Sequence, residues 1–239
     1  GGNLTLSSAT AYYHYSTATV LVSNLSRNAV IISSGIRTGY IRSLITSATS
    51  FSIGNAEFIG LGANLDGRYG LTIDGALAQS SIRNSSLHDG YYGIYINSGP
   101  GNSIFYNGFY NNTVGGIYVN NSSSNTIYGN SVFSSYSGSG LRLNNASHNN
   151  SIGANYLMAN QYGLYIDNSS SNTISGNLLS FNRSHGYFSS YANLTSFTDN
   201  SFQTNGSYGL NFTYSANNSI NKNYIFDNDR WFDEAISKL

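Results

Sequence analysis

The sequence predicts an all-β fold, a parallel β-helix (solenoid) of about 23 residues per coil, on three observations that share one period. First, a glycine followed by alternating apolar residues recurs as Gly70-Leu71-Thr72-Ile73, Gly93-Ile94-Tyr95-Ile96, Gly116-Ile117-Tyr118-Val119, Gly140-Leu141-Arg142-Leu143 and Gly163-Leu164-Tyr165-Ile166. Weaker copies begin at Gly186 and Gly209, and the successive spacings are 23, 23, 24, 23, 23 and 23. Second, Ile82, Ile104, Ile127, Ile152, Ile174, Phe197 and Ile220 form a parallel series. Each is followed five residues on by Leu87, Phe109, Val132, Leu157, Leu179, Phe202 or Ile225. Third, an asparagine sits between them at Asn107, Asn130, Asn155, Asn177, Asn200 and Asn223.

Each element follows from that register. Two or three alternating apolar residues make a short strand, and no stretch is long enough for a helix within the repeat. One unit cannot bury its own apolar face, whereas stacked units share a continuous core. Equivalent strands then lie about 4.8 Å apart with equivalent residues in columns. The repeat glycine is expected to supply a positive-φ turn. The asparagines are expected at a bend, with their amides bonded up and down the stack. Proline would break such ladders, and the single one, Pro100, falls in a Ser-Gly-Pro-Gly loop.

In chain order, residues 1–50 hold Leu4-Thr5-Leu6, Val20-Leu21-Val22 and Val30-Ile31-Ile32, strands without clear phase, and are expected to form irregular first coils and an N-terminal cap. Residues 51–226 are the regular β-helix. In residues 227–239 charge returns, with Asp227, Asp229, Arg230, Asp233, Glu234 and Lys238. Asp229 could N-cap a short helix with Phe232, Ile236 and Leu239 on one face, so a short C-terminal capping helix is expected there.

These residues resemble the parallel β-helix repeats of the pectate-lyase-like superfamily, especially those of periplasmic copper-binding-type and carbohydrate-binding or sugar-hydrolase domains. The resemblance covers residues 50–226 and implies a right-handed, three-faced coil. It specifies function poorly, because β-helices serve as enzymes, adhesins and scaffolds alike.

Composition excludes several roles. Only 8% of residues are charged and the formal net charge is +0, so the chain cannot build the basic face that nucleic acid requires. No apolar run is long enough to insert in a membrane as a helix. Cysteine is absent, which excludes disulfides and thiol chemistry. His14, His88, His148 and His185 share no ligand spacing, there is one Met, and no metal or other cofactor is expected.

Two sets of residues could carry function. Asp66 and Asp89 each lie four residues before a repeat glycine, with His88 adjacent, and are expected to stack on neighbouring coils. Paired carboxyls about 5–5.5 Å apart would suit a retaining glycosidase, and clustered oxygens would suit calcium; a solvated turn is the plainer reading. Tyr95, Tyr118 and Tyr165, with Phe188, occupy one outward position, and Tyr69, Tyr92, Tyr162 and Tyr208 another. Such columns could stack on sugars or a second protein, or simply stabilise the sheet.

Asn-x-Ser/Thr sequons occur at Asn3, Asn24, Asn84, Asn111, Asn120, Asn121, Asn145, Asn149, Asn168, Asn182, Asn193, Asn205, Asn211 and Asn217. They point to an exported glycoprotein carrying N-glycans, where sugars would solubilise a surface poor in charge. The reading favoured from sequence is a structural extracellular or cell-surface protein, not an enzyme. It would self-assemble head-to-tail into a filament, sheath or surface layer, by donating the strand around Leu4–Leu6 to a second copy. The alternative is a carbohydrate-active β-helix, a polysaccharide hydrolase, lyase or sugar-binding module, using the Asp66/Asp89 face or the tyrosine columns.

Overall fold

The computed structural model describes residues 29–33, 39–44, 51–75, 79–135 and 137–235. The described chain winds as a parallel β-solenoid of three sheets, with strands visited in strict rotation. Sheet I runs from Ala29–Ile32 to Tyr224–Phe226, sheet II from Ile41–Leu44 to Arg230–Ala235, and sheet III from Phe51–Gly54 to Ser219–Asn221. Every pairing is parallel and joins equivalent residues, as in Ile94↔Ile117↔Leu141↔Leu164 of sheet II. Among the described residues no helix is long and apolar enough to cross a membrane.

Period-2 alternation explains the core. Along Gly115–Asn120, Ile117 and Val119 point inward and are buried, while Tyr118 between them is half-exposed. The two apolar series of the repeat, from Ile82 to Phe197 and from Leu87 to Phe202, fill the other two walls. Each such side chain contributes about 1.5–3 kcal/mol on leaving water.

Each corner is built from two residues: one in the left-handed region, then one pointing inward. Tyr106 (φ 55), Ala154 (φ 50) and Asp199 (φ 56) precede Asn107, Asn155 and Asn200. The Asn130 Oδ1 accepts from the backbone N–H of Asn107 at 2.9 Å, and its Nδ2 donates to the Asn155 Oδ1 at 3.0 Å and to the Ile104 carbonyl at 2.9 Å. The bend therefore leaves no buried polar group unpaired there. The same device recurs at the other two corners, with Asn112, Asn160, Asn182, Asn205 and Asn228 in one column and Asn102, Asn125, Asn150, Asn172 and Asn218 in the other.

Two expectations are corrected. In the repeat glycine series a positive φ occurs at Gly70 (φ 129) but not at Gly93, Gly116, Gly140, Gly163 or Gly186. Those five are glycine for want of space: a Cβ on Gly163 would lie 2.6 Å from the Gly186 carbonyl oxygen, and one on Gly116 would lie 2.2 Å from the Val132 side chain. At the C-terminus, Arg230–Ala235 is a strand, paired in parallel with Tyr208–Thr213, and not the start of a helix. An exposed sheet edge offers this segment a full set of backbone partners, whereas so short a helix is marginal. Ile236 and Leu239 lie outside the described residues, as do Leu4–Leu6, Val20–Val22, His14, Asn3 and Asn24.

Candidate functional site

Sheet II presents two aromatic columns on its outer side. Register places Tyr95, Tyr118, Arg142, Tyr165 and Phe188 in one column. Tyr95 and Tyr118 stack with ring centres 5.1 Å apart and planes 15° from parallel. Arg142 then replaces a ring, and its guanidinium carbon lies 5.5 Å from the Tyr118 centroid and 4.5 Å from that of Tyr165. The second column, at the sheet's leading edge, holds Tyr92, Gly115, Ser139 and Tyr162, flanked by Tyr69 before and by His185 and Tyr208 after.

Because Gly115 and Ser139 carry no ring, the leading column is interrupted beside Arg142. A cleft of about 130 Å³ opens at that gap, walled by Tyr92, Val114, Tyr118, Ser137, Arg142, Tyr162 and Tyr165. A Cβ at Gly115 would come within 2.9 Å of the Ser139 carbonyl oxygen, so backbone crowding keeps the gap open. Next to it Asn64, Tyr69, Tyr91, Tyr92, Tyr95 and Tyr118 line a polar hollow of about 180 Å³.

The polar atoms in and beside the cleft are unevenly satisfied. The Arg142 Nε is buried with no hydrogen-bond partner, and so is the Asn144 Oδ1, although the Asn144 Nδ2 donates to the Tyr118 hydroxyl at 2.9 Å. Burial is the main cause holding the Tyr92, Tyr95 and Tyr165 phenols above their usual range, with further raising contributions from Tyr118 on Tyr92 and Tyr95 and from Asp167 on Tyr165. These hydroxyls stay neutral donors at physiological pH. Beside them a chain of amides runs along the axis: Asn145 donates to Asn120 at 2.9 Å, Asn120 to Asn97 at 2.8 Å, and Asn97 to the Asp74 carboxylate at 3.0 Å. Asp74 is also paired with Arg42.

The expected carboxylate pair is not assembled. Segment 62–68 stands where the next coil has only Tyr91, because Leu61 matches Gly90 and Tyr69 matches Tyr92. This inserted loop shifts Asp66 out of register and places its charge near Tyr69, Tyr95 and Arg42 on sheet II. Asp89 sits instead at the corner after sheet I, in the positive-φ position (φ 56) that other coils fill with Asn111, Ser134, Ala159, Phe181, Thr204 and Asp227. Its carboxylate lies 2.7 Å from the Nδ1 of His88, whose Nε2 lies 3.1 Å from Glu57, and the ring stacks on Tyr110 at 4.2 Å. Glu57 was not singled out from sequence, since a partner one coil away is invisible without the insertion length.

The sequons divide by burial. Asn182 and Asn205, at 1% and 2% exposure, belong to an internal ladder, and the Asn182 Nδ2 donates to the Leu157 carbonyl at 3.0 Å and to the Asn205 Oδ1 at 2.9 Å. No glycan fits on those nitrogens in the folded chain, which corrects two of the predicted sites. Asn84, Asn111, Asn121, Asn145, Asn149, Asn168 and Asn217 are exposed at corners with φ between 44° and 56°, the conformation that asparagine tolerates best among residues with a side chain. Asn120, Asn193 and Asn211 are half-buried.

The chain matches the family described as periplasmic copper-binding protein (NosD) over residues 3–191 and 70–236, and it belongs to that family. Among solved structures it is similar to the periplasmic alginate epimerase AlgG. A double mutant of that enzyme superposes with a TM-score of 0.63 at 16% identity, over 77% of this chain and 62% of that one. The unmutated enzyme gives 0.59 at 16% identity, over 84% and 62%. This chain thus spans about three fifths of the structures it resembles, and the likeness is one of fold. No curated protein sequence matches it. Copper is not accommodated by the residues seen: among the described residues no group of three His, Cys, Asp or Glu could hold a metal. His88 has both ring nitrogens against carboxylates, and the Nδ1 atoms of His148 and His185 accept from the backbone N–H groups of Ser170 and Tyr208.

Proposed function

We propose that this β-helix binds a polysaccharide along the outer side of sheet II, with the cleft at Arg142 as the central subsite. The observation that carries this reading is the interrupted tyrosine column: neutral, half-buried phenols on either side of an open, polar notch. Aromatic faces stack on the apolar faces of sugars while the hydroxyls and amides alongside bond to sugar hydroxyls. The fold shared with an enzyme named as an alginate epimerase agrees with a carbohydrate ligand, and that enzyme and the NosD family are described as periplasmic, which agrees with work outside the cytoplasm. The role assigned is binding. Asp66 and Asp89 do not share a register position, so the proposed binding does not draw on them as an acid pair.

Head-to-tail assembly depends on the segment around Leu4–Leu6, which lies outside the described residues, and no described feature favours a filament over a sugar-binding surface. The test is affinity electrophoresis in gels cast with polysaccharides of different charge. The wild-type protein should be retarded by at least one of them. Tyr118→Ala, which removes a ring from the cleft wall, should relieve most of that retardation, a loss of about 1–3 kcal/mol by analogy with base stacking on aromatic side chains. Retardation that is equal in the two proteins would sink the reading.

A further inference from the structure

We infer that the cleft at Arg142 selects a polysaccharide that carries isolated anionic groups among neutral sugars, an inference that rests on the carbohydrate reading above. Arg142 is the position where the outer column exchanges a ring for a charge, and it does so beside the missing rings of Gly115 and Ser139. The Tyr118 and Tyr165 rings hold the guanidinium from either side; its Nε is buried out of a ligand's reach, so the two Nη groups form the fork at the cleft. A stacked guanidinium keeps its in-plane N–H groups for a planar acceptor, and a carboxylate or sulfate fits that fork with two parallel hydrogen bonds.

The rest of the face argues against a charge on every sugar. Its other charged groups among the described residues include Asp66, Asp74, Asp167 and the Asp233 that register sets against Asn211 further along the Arg142 column. They also include the Arg42 already bonded to Asp74, the Arg68 over the Tyr40 ring at the first coil, and the Arg230 that donates to the Tyr208 hydroxyl at 2.9 Å. Asp167 lies one coil on from Arg142 and two residues further along the strand, in the column of Asn144, since Arg142 pairs with Tyr165 and Leu143 with Ile166. Coils rise about 4.8 Å, near the length of one sugar ring, so a polymer lying along the axis sets successive sugars on successive coils. A uniform polyanion would then set its next charge over the Tyr165 ring, with Asp167 beside it. A polymer with one acid per repeat would place that acid on Arg142 and its neutral sugars on Tyr95, Tyr118, Tyr165 and Phe188.

The experiment is titration calorimetry of the whole chain with gellan, which has one uronate among neutral sugars in each repeat, with carboxyl-reduced gellan, and with alginate, which has a carboxylate on every sugar. Gellan should bind about tenfold tighter than its reduced form, a difference of about 1.4 kcal/mol, and tighter than alginate per site. Arg142→Gln should erase the preference for gellan over reduced gellan while leaving the thermal midpoint unchanged. Arg142→Tyr restores the ring that neighbouring coils carry, so it should fold and show the same loss. Alginate binding as tightly as gellan, or a preference that survives in both variants, overturns the inference. Equal binding of gellan and reduced gellan that still depends on Tyr118 leaves the carbohydrate reading standing and removes the anionic subsite. Binding of none of the three by the wild-type chain removes both.

Discussion

The inner and outer halves of each corner obey opposite rules. Inward positions are nearly invariant along the solenoid: Asn107, Asn130, Asn155, Asn177, Asn200 and Asn223 repeat one side chain because each amide closes bonds to the coil before it and, for all but Asn223 on the last coil, to the coil after it. The residue just before each of them shares a positive φ yet is Tyr106, Gly129, Ala154, Gly176, Asp199 and Lys222 in turn. A common backbone conformation with no common side chain means that the outward residue is chosen for something other than the fold. Stability is written on the inside, and the outside is left free to carry a surface such as the tyrosine columns.

The largest break in that contrast should come from the inside. Asn155 is 1% exposed, its Oδ1 accepts from both the N–H and the amide of Asn130, and its Nδ2 donates to the Ile127 carbonyl and the Asn177 Oδ1. Asn155→Ala strands at least one buried donor and one buried acceptor, each of which costs about 1–3 kcal/mol, so a loss of about 3 kcal/mol is expected in urea unfolding. A loss below about 1 kcal/mol would mean that water or coil movement replaces the amide, and that the ladder is decoration.

How much of this was legible follows from the same division. The inward series repeat in type, so the period, the three walls of the core and the Asn107–Asn223 ladder could be read directly. The ladder from Asn112 to Asn228 was masked in part, because Asn182 and Asn205 are each followed two residues later by Ser and so read as sequons, and only their burial separates the two meanings. The Asn102–Asn218 ladder holds no sequon and was legible by the same repeat in residue type. Counting back from the repeat glycine paired Asp66 with Asp89, and the loop at 62–68 defeats any count that crosses it. Arg142 was in view within the quoted repeat, but its meaning needed the ringless positions Gly115 and Ser139 beside it, which belong to a different column. The C-terminal charges suggested a helix because a sequence window does not show the free sheet edge that Arg230–Ala235 joins.

A second test keeps the interior and reverses the sign. Tyr187 occupies the inner column between Leu164 and Leu210, fully buried, with a hydroxyl that meets no partner at hydrogen-bond geometry, although Ser189 lies near enough to oppose part of its pKa shift. Burial pushes this phenol far above its usual range. Tyr187→Phe removes the orphaned hydroxyl and keeps the ring against Phe197 and Phe212, with centres at 4.7 and 5.2 Å. The variant should gain about 1 kcal/mol, the lower end of the penalty for an unsatisfied buried group. If it loses stability instead, the hydroxyl has a partner, and the interior is more fully satisfied than the bonds described above imply.

The smallest effect is expected on the outside of the same corner as Asn155. Ala154 holds φ 50 between coils that place Gly129 (φ 66) and Gly176 (φ 64) at the equivalent position. A left-handed conformation costs a residue with a Cβ about 1–2 kcal/mol, and glycine escapes that strain but gives up about 0.5–1 kcal/mol of backbone entropy on folding. These terms oppose each other, so Ala154→Gly should stabilise by about 0.5 kcal/mol, read as a small rise in the thermal midpoint. Both flanking coils already use glycine, so the substitution introduces no conformation that the solenoid lacks. A destabilisation comparable to that of Asn155→Ala would show that the outward methyl contributes to packing between coils, and the division between a fixed interior and a free exterior would fail at the corner where the two positions are adjacent.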